Sequence, residues 1–96
     1  MPELLFDVRW PDQSVTRCYS PSRAIAAHLD AGRDYPLPEF LSRSRAGLQA
    51  ASDRVREVYG APCSRAAAQL AEIERLGARF GEQRDASVRV VSIEVV

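Results

Sequence analysis

Apolar and polar positions alternate from Glu3 to Trp10, with Phe6, Val8 and Trp10 on one side and Asp7 and Arg9 on the other. That period of two predicts a half-buried strand. Pro11-Asp12-Gln13 supplies turn chemistry, and Ser14–Tyr19, with β-branched Val15 and Thr16, reads as a second strand. The pair predicts an antiparallel hairpin. Ser20-Pro21 then has the form of a helix opening, a hydroxyl acceptor ahead of a residue that loses nothing at the first helical position. The short helix it predicts runs from Pro21 to Leu29 or Asp30, with Ile25 and Leu29 on its apolar stripe, and Gly32 ends it. Residues 31–37 read as a connector.

The period changes after Pro38. Leu41, Leu48 and Val55 recur every seven residues, with Ser44, Ala51 and Val58 at the offset positions, which predicts a long helix to Tyr59. Gly60-Ala61-Pro62 stops it. A third helix is predicted from Cys63 or Ser64 to about Phe80, its apolar side formed by Ala66, Ala67, Leu70, Ile73 and Phe80, with Gly77 at a close approach. After the polar loop Gly81–Ala86, the segment Ser87–Val96 holds five valines and one isoleucine, the strongest strand signal in the chain. Strict alternation there places Val91, Ile93 and Val95 on one face and Val88, Val90 and Val96 on the other. A strand apolar on both faces is central or covered by a partner. The pattern therefore predicts a single α+β domain over residues 1–96, a three-stranded sheet with three helices on one face, and favours a homodimer. Charges on Asp7, Arg9 and Arg17 are the alternative means of keeping the open face in water.

Composition narrows the chemistry. All 13 basic residues are arginine, balanced by 13 acidic ones, and lysine and asparagine are missing altogether. Schiff bases, P-loop lysines and ammonium general bases are thereby excluded. One histidine, His28, rules out an HExxH zinc site, and neither G-x-G-x-x-G nor G-x-S-x-G occurs. Balanced charge argues against nucleic acid, and no apolar run approaches a membrane span. Two cysteines do not make a disulfide scaffold, and the opening residues lack a signal-peptide pattern, so the expected setting is the cytoplasm. No cofactor or metal is implied.

Cys63, in Pro62-Cys63-Ser64-Arg65, falls at a helix start, where unpaired N–H donors favour a thiolate. The structural alternative is a small buried hydrophobe. Cys18 is its candidate partner in a thiol switch. Ser-Arg-Ala occurs at 22–24, 44–46 and 64–66, and Ser22, Arg23, Ser64 and Arg65 form a candidate anion site if the two helix openings converge; ordinary capping is the plainer explanation. His28 reads as a helix-end residue interacting with backbone carbonyls. Trp10 is open to either a core or a binding role, and Tyr19, Tyr35 and Tyr59 are candidate pocket residues.

Several segments together resemble a known family: Met1-Pro2-Glu3, Val8-Arg9-Trp10-Pro11-Asp12, Cys18-Tyr19-Ser20-Pro21-Ser22, Arg43-Ser44-Arg45, Ala51-Ser52-Asp53-Arg54-Val55 and Tyr59-Gly60-Ala61-Pro62-Cys63-Ser64-Arg65-Ala66. They are similar to the small mycobacterial-type nitrogen-starvation-response proteins, which are encoded in bacterial clusters with a nitrilase. Gln13 departs from the pattern, which has glycine after Trp-Pro-Asp. The resemblance implies nitrogen limitation, and by association nitrile or cyanide assimilation, and it assigns no catalytic residue. The leading expectation is a non-enzymatic accessory protein that binds a partner enzyme or small ligand. A thiol-dependent role centred on Cys63 and an anion-binding module are the alternatives.

Overall fold

The computed structural model describes residues 2–96. Strands β1 (Leu4–Arg9) and β2 (Val15–Ser20) form the expected hairpin, pairing Phe6 with Cys18 and Val8 with Thr16. Its turn is closed by Gln13 N donating to Trp10 O (2.9 Å) and Trp10 N donating to Ser14 O (2.8 Å). A three-residue hairpin loop of this kind needs its last residue in the left-handed region. That residue is Gln13, with φ of 74°. Glycine would take this conformation freely, and Gln13 adopts it at a cost.

The sheet has four strands, where three were expected. β3 (Arg33–Pro36) lies in the segment read as a connector, and β4 (Ser87–Val95) is central, giving the order β2-β1-β4-β3, all antiparallel. β3 has no period-two signature because it is four residues long and ends in proline, which only an edge strand tolerates. Tyr35 holds it in place. Its ring is fully buried, it sits opposite Val88, and its hydroxyl accepts from Asp30 N at 2.8 Å.

Two α-helices, not three, cover the sheet: α1 (Leu37–Tyr59) and α2 (Ser64–Ala78). The segment expected as the first helix is a five-residue 3₁₀ turn, Arg23–Ala27. Ser22 Oγ, not Ser20, caps it by accepting from Ala24 N (3.2 Å), while Ser20 Oγ donates to Ser22 O (2.8 Å). This turn crosses α1 at Gly47, where a Cβ would stand 2.4 Å from Ile25 Cδ1 and 3.3 Å from His28 Cβ. Gly60, with φ of 84°, ends α1 as expected by donating to Arg56 O.

The faces of β4 also differ from strict alternation. The β1–β4 register shifts between Asp7 and Val8, so that Val8 faces Val90, Asp7 faces Ser92 and Phe6 faces Ile93. Val91 is the extra residue of a β-bulge. Val88 and Val90 before it and Ile93 after it all join the core with Leu4, Phe6 and Val8. Strict alternation is thus replaced by one continuous core face of Val88, Val90 and Ile93, while Val91 and Val95 stay exposed. On the outer face Asp7 accepts from Arg17 Nε (3.0 Å) and Ser92 Oγ (3.3 Å), Glu94 lies 3.6 Å from Arg17, and Arg89 pairs with Asp34 at 3.2 Å. The Arg17 hydrogen bond holds the Asp7 carboxyl below its ordinary range.

Trp10 is a core residue: it stacks on Phe80, meets Phe40 edge-on, and donates Nε1–H to Thr16 Oγ1 at 3.0 Å. No helix among the described residues is long and apolar enough to cross a membrane.

Two substitutions check these packing constraints by thermal unfolding. Gln13→Gly relieves the left-handed strain and should raise stability by about 0.5–1 kcal/mol, after the entropy glycine adds to the unfolded chain. Gly47→Ala gains about 1 kcal/mol of helix propensity but overpacks Ile25, at about 1–3 kcal/mol, so its melting temperature should fall.

Candidate functional site

α1 is 23 residues long, roughly 34 Å at 1.5 Å per residue. Its buried positions stop at Ala51. Beyond that point it faces the chain start and the Pro21–Ala24 segment across two neighbouring hollows. One is a cleft of about 260 Å³ lined by Glu3, Tyr19, Pro21, Val55, Tyr59 and Cys63. The other is a groove of about 720 Å³ whose lining includes Pro2, Ser22, Arg23, Ala50, Arg54 and Val58. Consecutive residues divide between them: Pro2 and Glu3, Pro21 and Ser22, Arg54 and Val55. The hollows therefore share a wall.

Cys63 occupies the N-cap of α2, as expected, and is half-buried in the cleft. Its backbone N–H donates to Ser52 Oγ at 3.3 Å, and its side chain makes no capping bond. Beside it, the Tyr19 hydroxyl donates to Glu3, and the Arg65 guanidinium lies 3.8 Å over the Tyr19 ring and 3.5 Å from Glu3 Oε2. Burial first, and then the bond to Glu3, push the Tyr19 hydroxyl up to about 12. Tyr19 N–H points out of the sheet edge and donates to Gln69 Oε1 (2.9 Å), which covers that end of β2 with α2.

Cys18 lies elsewhere. It is fully buried opposite Phe6, with Sγ 3.8 Å from Thr16 O, and lines neither hollow. Both thiols are free. Burial, reinforced by Glu72 and Asp7, pushes the Cys18 thiol up to about 12. It fits a small core hydrophobe, not a resolving thiol.

The four candidate anion residues separate as well. Ser22 and Arg23 line the groove, whereas Ser64 is the exposed first residue of α2 and Arg65 is engaged by Glu3 and Tyr19. The turn after Ser22 is too short to carry a helix dipole, so only side chains matter there. Arg43 and Arg45 bond Glu39 and Glu74, respectively. His28 follows the 3₁₀ turn, and its carbonyl accepts from Arg43 at 3.1 Å. Tyr35 belongs to the core, while Tyr19 and Tyr59 line the cleft. Groove residues Pro2, Ala50, Arg54 and Val58 and cleft residues Glu3 and Val55 escaped sequence reasoning, because no local pattern joins positions so far apart. Among the described residues, no group of three or more His, Cys, Asp or Glu side chains is placed to hold a metal ion.

The fold and hollows define a small α+β protein with an antiparallel sheet, a charged open face and one concave end. A family model described as nitrogen starvation-induced protein NitG matches residues 5–93, and the chain belongs to that family. No curated protein and no solved structure gives a match.

The two thiols should behave oppositely. Iodoacetamide should label Cys63 in the native protein and Cys18 only after unfolding, as read by mass spectrometry. Cys18 also has a pH signature. Its folded pKa of about 12 lies above the ordinary thiol value, so the native state binds the extra proton between about pH 9 and 12. Stability should fall across that window, by up to about 1.4 kcal/mol per pH unit from this group. Cys18→Ala should flatten the slope in denaturant titrations at pH 8, 9 and 10.

Proposed function

We propose that this nitrogen-starvation-induced protein works in the cytoplasm by binding a partner enzyme or a small ligand, and does not itself catalyse a reaction. The groove at the concave end carries this reading. Its volume lies within the range of small-molecule sites, and its lining combines apolar Pro2, Ala24, Ala50 and Val58 with polar Ser22, Arg23, Arg54 and Glu57. Exposed apolar area continues from it onto Val58 and Tyr59, which are 50% and 68% exposed, while the open sheet face is charged. The nitrilase-containing gene cluster implied by the sequence resemblance would supply the enzyme partner, and nitrile or cyanide assimilation the setting.

A second reading uses the cleft. Cys63 is half-buried there at the N-cap of α2, the position that carries a reading as a thiol that reacts or senses.

Native mass spectrometry of the protein isolated from nitrogen-starved cells separates the two. A noncovalent adduct should accompany the wild type and be lost from Ala50→Trp, which fills the groove, while Cys63→Ser retains it. Adduct loss in Cys63→Ser alone would favour the thiol reading. Identical spectra for wild type and Ala50→Trp would overturn the groove as the binding site.

A further inference from the structure

We infer that the groove binds a compact organic carboxylate, its head group held by Ser22 and Arg23 and its apolar body lying along Ala24, Ala50 and Val58. The inference rests on the groove being the binding site and deepens that reading.

Three observations converge. The first is Ser22, a buried residue that lines the groove. Its oxygen accepts from Ala24 N, but its proton is given to no acceptor among the described residues. That proton is free to be donated to an acceptor in the groove.

The second is charge. Of the groove's two arginines, Arg54 is paired with Glu57 at 3.0 Å, whereas Arg23 makes no ion pair among the described residues. The lining therefore holds two guanidinium groups and one carboxylate, and it favours an anion. Serine and arginine side chains adjacent in sequence present an O–H and a forked N–H donor to one head group.

The third is the lining beyond them. Pro2, Ala24, Ala50 and Val58 offer an anion nothing but hydrocarbon. A bare inorganic anion would leave that surface in water, while an alkyl or aryl body would cover it. The volume of about 720 Å³ accommodates a small molecule.

The test follows amide shifts of the full chain in ¹H–¹⁵N spectra during titration with 4-methylpentanoate, 4-methylpentanamide and inorganic phosphate. The carboxylate should shift Ser22, Arg23, Ala24, Ala50 and Val58 together. The amide and phosphate should bind at least tenfold more weakly. Arg23→Gln, a change at an exposed side chain, should leave the melting temperature unaltered and weaken the carboxylate at least tenfold, and Ala50→Trp should abolish its binding. Equal binding of carboxylate and amide, with no effect of Arg23→Gln, would overturn the head-group assignment while leaving the groove a binding site. Phosphate binding as tightly as the carboxylate would overturn the role of the apolar floor. If the carboxylate shifts nothing while cells still supply an adduct that Ala50→Trp loses, the ligand class is wrong and the binding reading survives. If both signals are missing, both readings fall.

Discussion

The pairing of β1 with β4 is the contact on which the molecule depends. It joins the two ends of the chain at the centre of the sheet, and its bulge at Val91 sets which side chains face the helices. A one-residue slip in a strand turns every side chain to the other face. Here one extra residue does this halfway along, so Val88, Val90 and Ile93 reach a single core despite their mixed spacing. Burying each such side chain contributes about 1.5–3 kcal/mol, so this re-phasing is among the larger stabilising features of a 96-residue domain.

The same pairing settles where the protein meets its surroundings. With Val88, Val90 and Ile93 of β4 turned inward, the other face keeps Asp7, Arg17, Arg89, Asp34 and Glu94 in water as an ion-paired surface. Individually such exposed pairs add little stability. Their effect is to keep the open sheet face from acting as an apolar contact. Exposed apolar side chains remain at Val58 and Tyr59, where α1 outruns its buried contacts, and at Val15, Val91, Val95 and Val96. The concave end follows from a long helix laid on a short sheet.

The cysteines show how a local signal is sorted by tertiary context. Position alone places Cys63 at a helix start, and it is there. Its surroundings come from Glu3 and Tyr19, brought together by the β1–β2 register and by Gln69 and Arg65 reaching over from α2. These residues are separated by up to 66 positions. Cys18 carries no comparable local signal, and its place opposite Phe6 makes it core. Ser22 and Arg23 were legible as candidates, though for a different reason: the expected helix dipole is missing, and the side chains themselves line the groove.

Local chemistry in the sequence determined the hairpin, the long helix with its glycine stop, the second helix, the valine-rich final strand and the lack of lysine-based catalysis. Each is written within a few neighbouring residues as a period, a cap or a missing side chain. Gln13 belongs with them, since a three-residue hairpin turn demands a left-handed residue whatever the rest of the chain does. Only the tertiary structure decided the fourth strand, the bulge, the collapse of the first helix to one 3₁₀ turn on Gly47, and the two hollows. β3 exists because β4 presents an open edge, the bulge because the core accepts only one face, and the hollows because separate segments end side by side. Those are properties of surfaces meeting, and no short stretch of sequence carries them.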